Sequence, residues 1–417
     1  MHPAISVLTE ATQRDDREPV TSMEPMLPSA GGTHRRRLED LAVDLTARAH
    51  GLAAQLHPNV RAEVGTRVRS MNCYYSNLIE GHNTHPIDID RALRADYSAD
   101  AAKRALQLEA RAHIEVQTML DGGPETAPPP GLEGPATSSA FIQALHREFC
   151  RRLPDNLLWV ENPDTGDGTH VVPGELRPRH VKIGRHVPVS PGAVPRFLAR
   201  FEAAYRAPEL GRIDRVVAVP AAHHRLLWIH PFLDGNGRVA RLVSHAMLRE
   251  TGVGTSLWSV SRGLARSVTD YKRSLMVADE PRRNDVDGRS ALSEAALTEF
   301  CEFFLRVCVD QVEFMASVLE PATLLGRIEA WLGDEIRAGT LHPRSSALIR
   351  EAFQMGSIDR GRVPTITGLG ERQARSVLSK LIERGVLSSA SHRAPVRLLF
   401  PGALAERWFP NLYPGLT

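Results

Sequence analysis

Twelve consecutive residues, His230-Pro231-Phe232-Leu233-Asp234-Gly235-Asn236-Gly237-Arg238-Val239-Ala240-Arg241, combine a proton acceptor, a carboxylate, two glycines and two guanidinium groups. That combination suits a polyphosphate. A carboxylate such as Asp234 can hold a hydrated Mg²⁺ between phosphate oxygens, because that ion takes few protein ligands and keeps its waters. Gly235 and Gly237 let the backbone curl until successive N–H groups point at an anion. Val239, Leu242, Val243, Ala246 and Met247 recur at helical spacing, with Gly252 at the expected C-terminus. The glycine turn therefore falls at a helix N-terminus, where free N–H groups and the helix dipole both favour phosphate. His230, just ahead of the turn, can take a proton near neutral pH.

The run resembles, without a gap, the signature H-P-F-x-D/E-G-N-G-R-x-x-R of the Fic (Fido) proteins, most of which transfer AMP from ATP to a protein hydroxyl. The resemblance implies that His230 is the general base for a Tyr, Ser or Thr hydroxyl, which attacks the α-phosphate as pyrophosphate leaves. It implies that Asp234 binds Mg²⁺, that Gly235, Asn236 and Gly237 form the anion hole, and that Arg238 and Arg241 reach the phosphates. Phe232 is expected to lock the loop. Transfer of this kind depends on positioning and electrostatic stabilisation, which such a loop supplies.

Upstream, Ser76-Asn77-Leu78-Ile79-Glu80-Gly81 is similar to the family's inhibitory motif S/T-x-x-x-E-G/N. Its position before the core resembles the subclass with an N-terminal inhibitory helix. There the glutamate, here Glu80, pairs with the second arginine, here Arg241. A carboxylate and a γ-phosphate cannot share one guanidinium fork. In some relatives the same glutamate also orients a water that removes AMP. Gly174-Glu175-Leu176-Arg177 and Val181-Lys182-Ile183-Gly184-Arg185-His186-Val187-Pro188 resemble the family's G-x-x-R turn and its flap hairpin, whose residues touch nucleotide and clamp a target by strand addition. Asp270-Tyr271, with Leu275, resembles the D-Y helix near the adenine, so Tyr271 is a candidate nucleotide contact. Asp279 stands where relatives often have Asn.

These residues need elements to hold them. The chain has 417 residues, enough for two or three domains, and a net charge of +2 gives no general bias toward nucleic acid or membrane. Cys73, Cys150, Cys301 and Cys308 lie far apart without a C-x-x-C pair, so neither zinc nor a disulfide framework is expected. No signal peptide or membrane span is visible, and a reduced cytoplasm that supplies ATP and Mg²⁺ is the expected compartment. Residues 1–34 lack periodicity and read as a mobile tail. Residues 35–121 read as a helical region carrying the inhibitory motif, and 122–137 as a Pro/Gly-rich linker. The catalytic domain is expected over 138–282, connecting helices over 290–336 and a further module over 337–417.

In that last module Ala374, Val377, Leu378, Leu381 and Ile382 form an apolar stripe stopped by Gly385, as in the second half of a winged helix-turn-helix. A wing falls near Ser388–Val396. Residues 341–417 hold eleven Lys or Arg against five Asp or Glu, and Arg372, Gln373, Arg375 and Ser376 are the groove-facing candidates. Winged helices also serve as protein-interaction or dimerisation modules. The expected fold is thus all-α, a Fic-type helical core with one small flap hairpin and a C-terminal winged helix. The expected function is AMP transfer to a target protein, restrained by Glu80. The alternatives are a DNA-binding regulator with a nucleotide-sensing core, and Fic-type transfer of a different group, phosphate or phosphocholine.

Overall fold

The computed structural model describes residues 5–7, 14–31, 34–122, 128–162 and 166–413. Sixteen α-helices dominate the described residues, and three two-stranded antiparallel sheets accompany them. The chain divides into two compact units, one of residues 1–47, 72–255 and 259–311, the other of 48–71, 256–258 and 312–417.

In the first unit the centre is a helical hairpin, α7 (Arg212–Ile229) and α8 (Asn236–Glu250), joined by the six-residue loop 230–235. Both helices bury most of their side chains, including Val217, Val219, Leu226, Val239, Leu242 and Val243, and exposed residues occur only in the first turn of α7 and at the last residue of α8. Such all-round burial marks core helices rather than surface ones. The helical stripe expected from Val239 to Met247 is buried throughout, and Gly252 follows the C-cap with φ 77°. Around this pair lie α4 (Ala101–Leu120), α5 (Ser139–Cys150), α6 (Val194–Tyr205), α9 (Val260–Arg266) and α10 (Val268–Ala278). Capping residues set the starts of α4 and α5: Asp100 accepts from the Lys103 N–H at 2.8 Å, and Ser138 from that of Phe141 at 3.1 Å.

The Ser76–Gly81 motif lies at the end of α2 (Pro58–Ile79). Gly81, at φ 83°, donates to Leu78 O, and His82 donates to Asn77 O at 2.9 Å. This paired closure needs a left-handed residue at Gly81 and leaves Glu80 as the final half-helical residue. Between α5 and α6 the chain forms β2 (Trp159–Glu161) and β3 (Gly168–His170), a hairpin absent from the sequence reading, and then β4 (Val181–Ile183).

Two expectations change here. The flap strand β4 bridges its own return limb at His186, as a hairpin should, and it also pairs with β1 (Ile5–Val7) from the N-terminal segment. The expected mobile tail is also held over much of its described length. Arg225 donates to Pro25 O at 3.1 and 2.9 Å, Tyr205 Oη donates to Met26 O at 2.6 Å, and Arg200 pairs with Glu24. Buried donors from α6 and α7 find their acceptors on this non-periodic segment, so its order comes from partners elsewhere in the chain. Residues 1–4, 8–13 and 32–33 of that tail, and 123–127 of the linker, lie outside the described residues.

The second unit ends in α12 (Pro321–Arg337), α13 (Ser345–Met355), the short α14 (Val363–Thr367) and α15 (Glu371–Glu383). β5 (Leu387–Ser388) and β6 (Arg397–Leu398) follow, with an isolated bridge from Ile358 to Val396, before α16 (Ala405–Trp408). Leu348, Val377, Leu378, Leu381 and Trp408 are buried, and Trp408 meets Trp331 edge-on at 5.4 Å.

Candidate active site

The motif loop sits where two core helices turn back on each other. His230 caps α7 in the left-handed region, φ 50° and ψ 63°, and its N–H bonds Leu226 O at 3.0 Å. A non-glycine residue there is uncommon, and its position is held from several sides. Arg177, only 2% exposed, donates Nε to His230 O at 2.8 Å and Nη1 to Arg179 O at 3.0 Å, with Nη2 on Val189 O. The arginine of the G-x-x-R turn thus ties the base of the flap to the backbone of His230.

The His230 ring is buried, and its Nε2 has no hydrogen-bond partner. Burial, with Arg177 and His186 nearby, lowers its pKa to about 3, against opposing contributions from a bond to the Leu227 backbone and from Glu80. With the ring bonded to the Leu227 backbone and Nε2 unpartnered, a lone pair on Nε2 is the arrangement a general base needs.

Phe232 is fully buried, and its ring stacks on His146 at 3.9 Å with planes 2° apart. His146 Nδ1 accepts from the Gly174 N–H at 2.9 Å, so Nε2 carries the proton and donates to Asp234 O at 3.2 Å. Burial depresses this imidazole to about 4, which keeps that tautomer neutral. His146 escaped the sequence reading because nothing local marks a helix histidine that props a loop ninety residues on.

Asn236 is drawn inward: its Oδ1 accepts from the Phe232 N–H at 2.9 Å and its Nδ2 donates to Phe232 O at 2.8 Å. Its side chain closes the loop, and only its backbone N–H remains for an anion, beside those of Gly237 and Arg238 in the first turn of α8. Asp234 is half-buried and accepts the Gly235 N–H on Oδ1 at 2.6 Å. Among the described residues no cluster of three or more His, Cys, Asp or Glu could hold a metal. A lone carboxylate beside a helix N-terminus could hold an ion such as Mg²⁺, which takes few protein ligands and keeps its waters.

Both motif arginines are engaged by carboxylates. Arg241 donates Nε to Ser76 Oγ at 2.9 Å, and Nη2 to Ser76 O at 3.0 Å and to Glu80 Oε1 at 2.5 Å. Ser76 and Glu80 stand four residues apart, so one helix turn presents both to a single guanidinium. The Glu80 carboxylate lies over the first turn of α8, where a methyl on Gly237 would overlap Oε1. Arg238 pairs with Glu109 of α4, which is 1% exposed and also takes His82 Nδ1 at 2.7 Å. Arg238 and His82 hold the Glu109 carboxyl below its ordinary pKa despite burial. Glu109 and His82 were not anticipated: α4 carries no motif, and the pair forms only through tertiary packing.

The flap residues Val181, Lys182, Ile183 and Gly184 form β4 and its turn, as expected. Tyr271 is 2% exposed, and its hydroxyl is 2.7 Å from His223 Nε2, which itself reaches Ser244 Oγ through Nδ1 at 2.9 Å. This candidate nucleotide contact lies in a buried layer near Arg241. Asp279 sits 3.2 Å from His224 Nε2 and 3.9 Å from flap residue His186.

Residues 136–248 match the Fic/DOC family. Over 86 residues, 20% of this chain, the sequence is 37% identical to protein adenylyltransferase Fic of Drosophila erecta and 38% identical to that of Drosophila grimshawi. The aligned stretch spans only 17% and 18% of those relatives' own length. Among solved structures, a Fic family protein from Desulfovibrio desulfuricans G20 superposes with a TM-score of 0.51 at 20% identity, covering 90% of this chain and 98% of that one. Fic-1 from C. elegans gives 0.51 at 15% identity, covering 69% and 74%. At these identities the likeness concerns the fold.

Proposed function

We propose that this chain, which carries a Fic/DOC domain over residues 136–248, transfers AMP from ATP to a Tyr, Ser or Thr hydroxyl of a target protein. The observation that carries the reading is a buried imidazole, unpartnered at Nε2, held beside a helix N-terminus and two arginines. The target oxygen bonds to the α-phosphorus as its proton passes to His230 Nε2, and the bond to the bridging oxygen of pyrophosphate breaks. The N–H groups of Asn236, Gly237 and Arg238 receive phosphate oxygens, and Arg241 the γ-phosphate. Asp234 would hold Mg²⁺, which would supply neutralisation of phosphate charge.

Glu80 restrains this reaction by holding Arg241 and the space above Gly237. Removing it frees the γ-phosphate position. Loss of a charge-assisted competitor worth about 1.5–3 kcal/mol raises nucleotide-dependent transfer roughly 10- to 100-fold. Glu80→Gly protein given ATP labelled at either the α- or the γ-phosphate tests the reading. Protein-bound α-label, with γ-label leaving as pyrophosphate, supports AMP transfer. Protein-bound γ-label points to phosphate transfer, and bound nucleotide without any transfer points to a sensor.

Residues 345–398 support a second, separate role. The order α13, Ile358 bridge, α14, α15, β5 and β6 favours a winged-helix reading, and Arg372, Gln373, Arg375 and Ser376 are exposed on α15. Arg375 is drawn back by Glu371 at 2.9 Å, leaving Arg372 as the stronger candidate for phosphate. Retardation of duplex DNA that weakens with salt, less steeply for Arg372→Ala, supports DNA contact. Unchanged mobility of the duplex contradicts it.

A further inference from the structure

The outer edge of a flap hairpin is a row of unpaired backbone groups, and such an edge takes any extended segment that reaches it. In this chain that edge is already taken. Ile5, Ser6 and Val7 pair antiparallel with Ile183, Lys182 and Val181. From Arg14 onward the segment is fastened just beyond the flap. Gly192 donates to Arg14 O at 3.0 Å, Asp16 donates its N–H to Ser190 Oγ at 2.9 Å, and Glu18 accepts from Ser190 N and Oγ at 2.6 and 2.8 Å. Arg196 adds ion pairs to Asp15 at 2.6 Å and to Glu18 at 3.7 Å.

We propose that the N-terminal strand Ile5–Val7 is a tethered competitor for the flap edge, which an extended segment of a target protein must displace before its hydroxyl can be aligned. The inference rests on the reading of the chain as a protein-modifying transferase. Three paired residues bind weakly as a free peptide. Anchored at residues 14–18 through a six-residue tether that reaches at most about 20 Å, the strand acts at an effective concentration on the order of millimolar. Main-chain pairing discriminates little between sequences, so this tether would set a threshold that weakly binding segments do not pass. It is a restraint on the protein substrate, separate from Glu80, which restrains the nucleotide.

Hydrogen exchange read by mass spectrometry on the full chain and on a variant lacking residues 1–13 tests the proposal without catalysis. The deletion leaves the anchor at residues 14–18 in place. It should raise exchange at least tenfold in peptides covering residues 181–187 and leave 236–250 unchanged. Ile5→Pro/Val7→Pro in the full chain should do the same, because proline cannot donate to a ladder. A labelled peptide of residues 1–13 should bind the deletion variant at least tenfold more tightly than the full chain. Unaltered flap exchange, or equal peptide affinity for the two proteins, overturns the proposal. A protected flap in a Glu80→Gly protein that transfers nothing from ATP would instead sink the transferase reading and leave the strand assignment standing.

Discussion

At the scale of single residues, the site is a set of side chains whose ordinary behaviour has been altered by burial. His230 is neutral far below the usual imidazole range, because desolvation and nearby Arg177 and His186 oppose its charge. A base of this kind stays unprotonated as pH falls below 6.5. The acid limb of kcat/KM for Glu80→Gly protein should therefore lie below that value, and a limb near 7 in its pH–rate profile would contradict the assignment. His230→Ala should cut transfer by about 10²- to 10⁴-fold, with ATP affinity, measured by calorimetry, changed little. Retained transfer would mean that another group takes the proton. These residues were legible because His230 to Arg241 is one continuous segment whose chemistry is local. His146 and Glu109 were not, since each acts on the loop from another helix and has no neighbours in sequence that announce it.

The working unit at the level of elements is the α7–α8 turn clamped to the flap. Arg177 is the clamp, with three carbonyls on one guanidinium. Arg177→Ala leaves those acceptors buried and unsatisfied, at about 1 kcal/mol or more each. The expected result is at least a tenfold drop in kcat with little change in ATP affinity, together with lower stability. Arg177→Lys should not rescue kcat, because an ammonium lacks the fork geometry. Unchanged kcat in both variants would show that His230 holds its left-handed conformation unaided. The helices and the flap hairpin were readable from periodicity and a glycine turn. The partner strand Ile5–Val7 was not, because three residues in a non-periodic segment carry no signal until a distant edge pairs with them. The β2–β3 hairpin was missed for a similar reason, its strands being three residues each.

Across the molecule, buried imidazoles make folding dependent on pH. His113, His223 and His230 are depressed to about 3 and His146 to about 4, all chiefly by burial. A histidine with a lowered folded pKa contributes stability above 6.5, which is lost as pH falls toward the folded value, since the unfolded chain binds protons first. Each such group costs up to roughly 1.4 kcal/mol per pH unit below 6.5. Denaturant unfolding should therefore show a loss of several kcal/mol between pH 7.5 and 5.5, and equal stabilities would contradict the burial of these rings. No helix among the described residues is long and apolar enough to cross a membrane. The four cysteines are free and buried.

Intact-mass spectrometry after incubation with ATP and Mg²⁺ measures whether AMP transfer depends on His230 and is held back by Glu80. The proteins are the wild type, Glu80→Gly and Glu80→Gly/His230→Ala. An AMP-sized increment mainly on Glu80→Gly, on the chain itself or on an added target, and absent from the double variant, is the predicted result. An increment equal in wild type and Glu80→Gly, or one that survives the loss of His230, would contradict it.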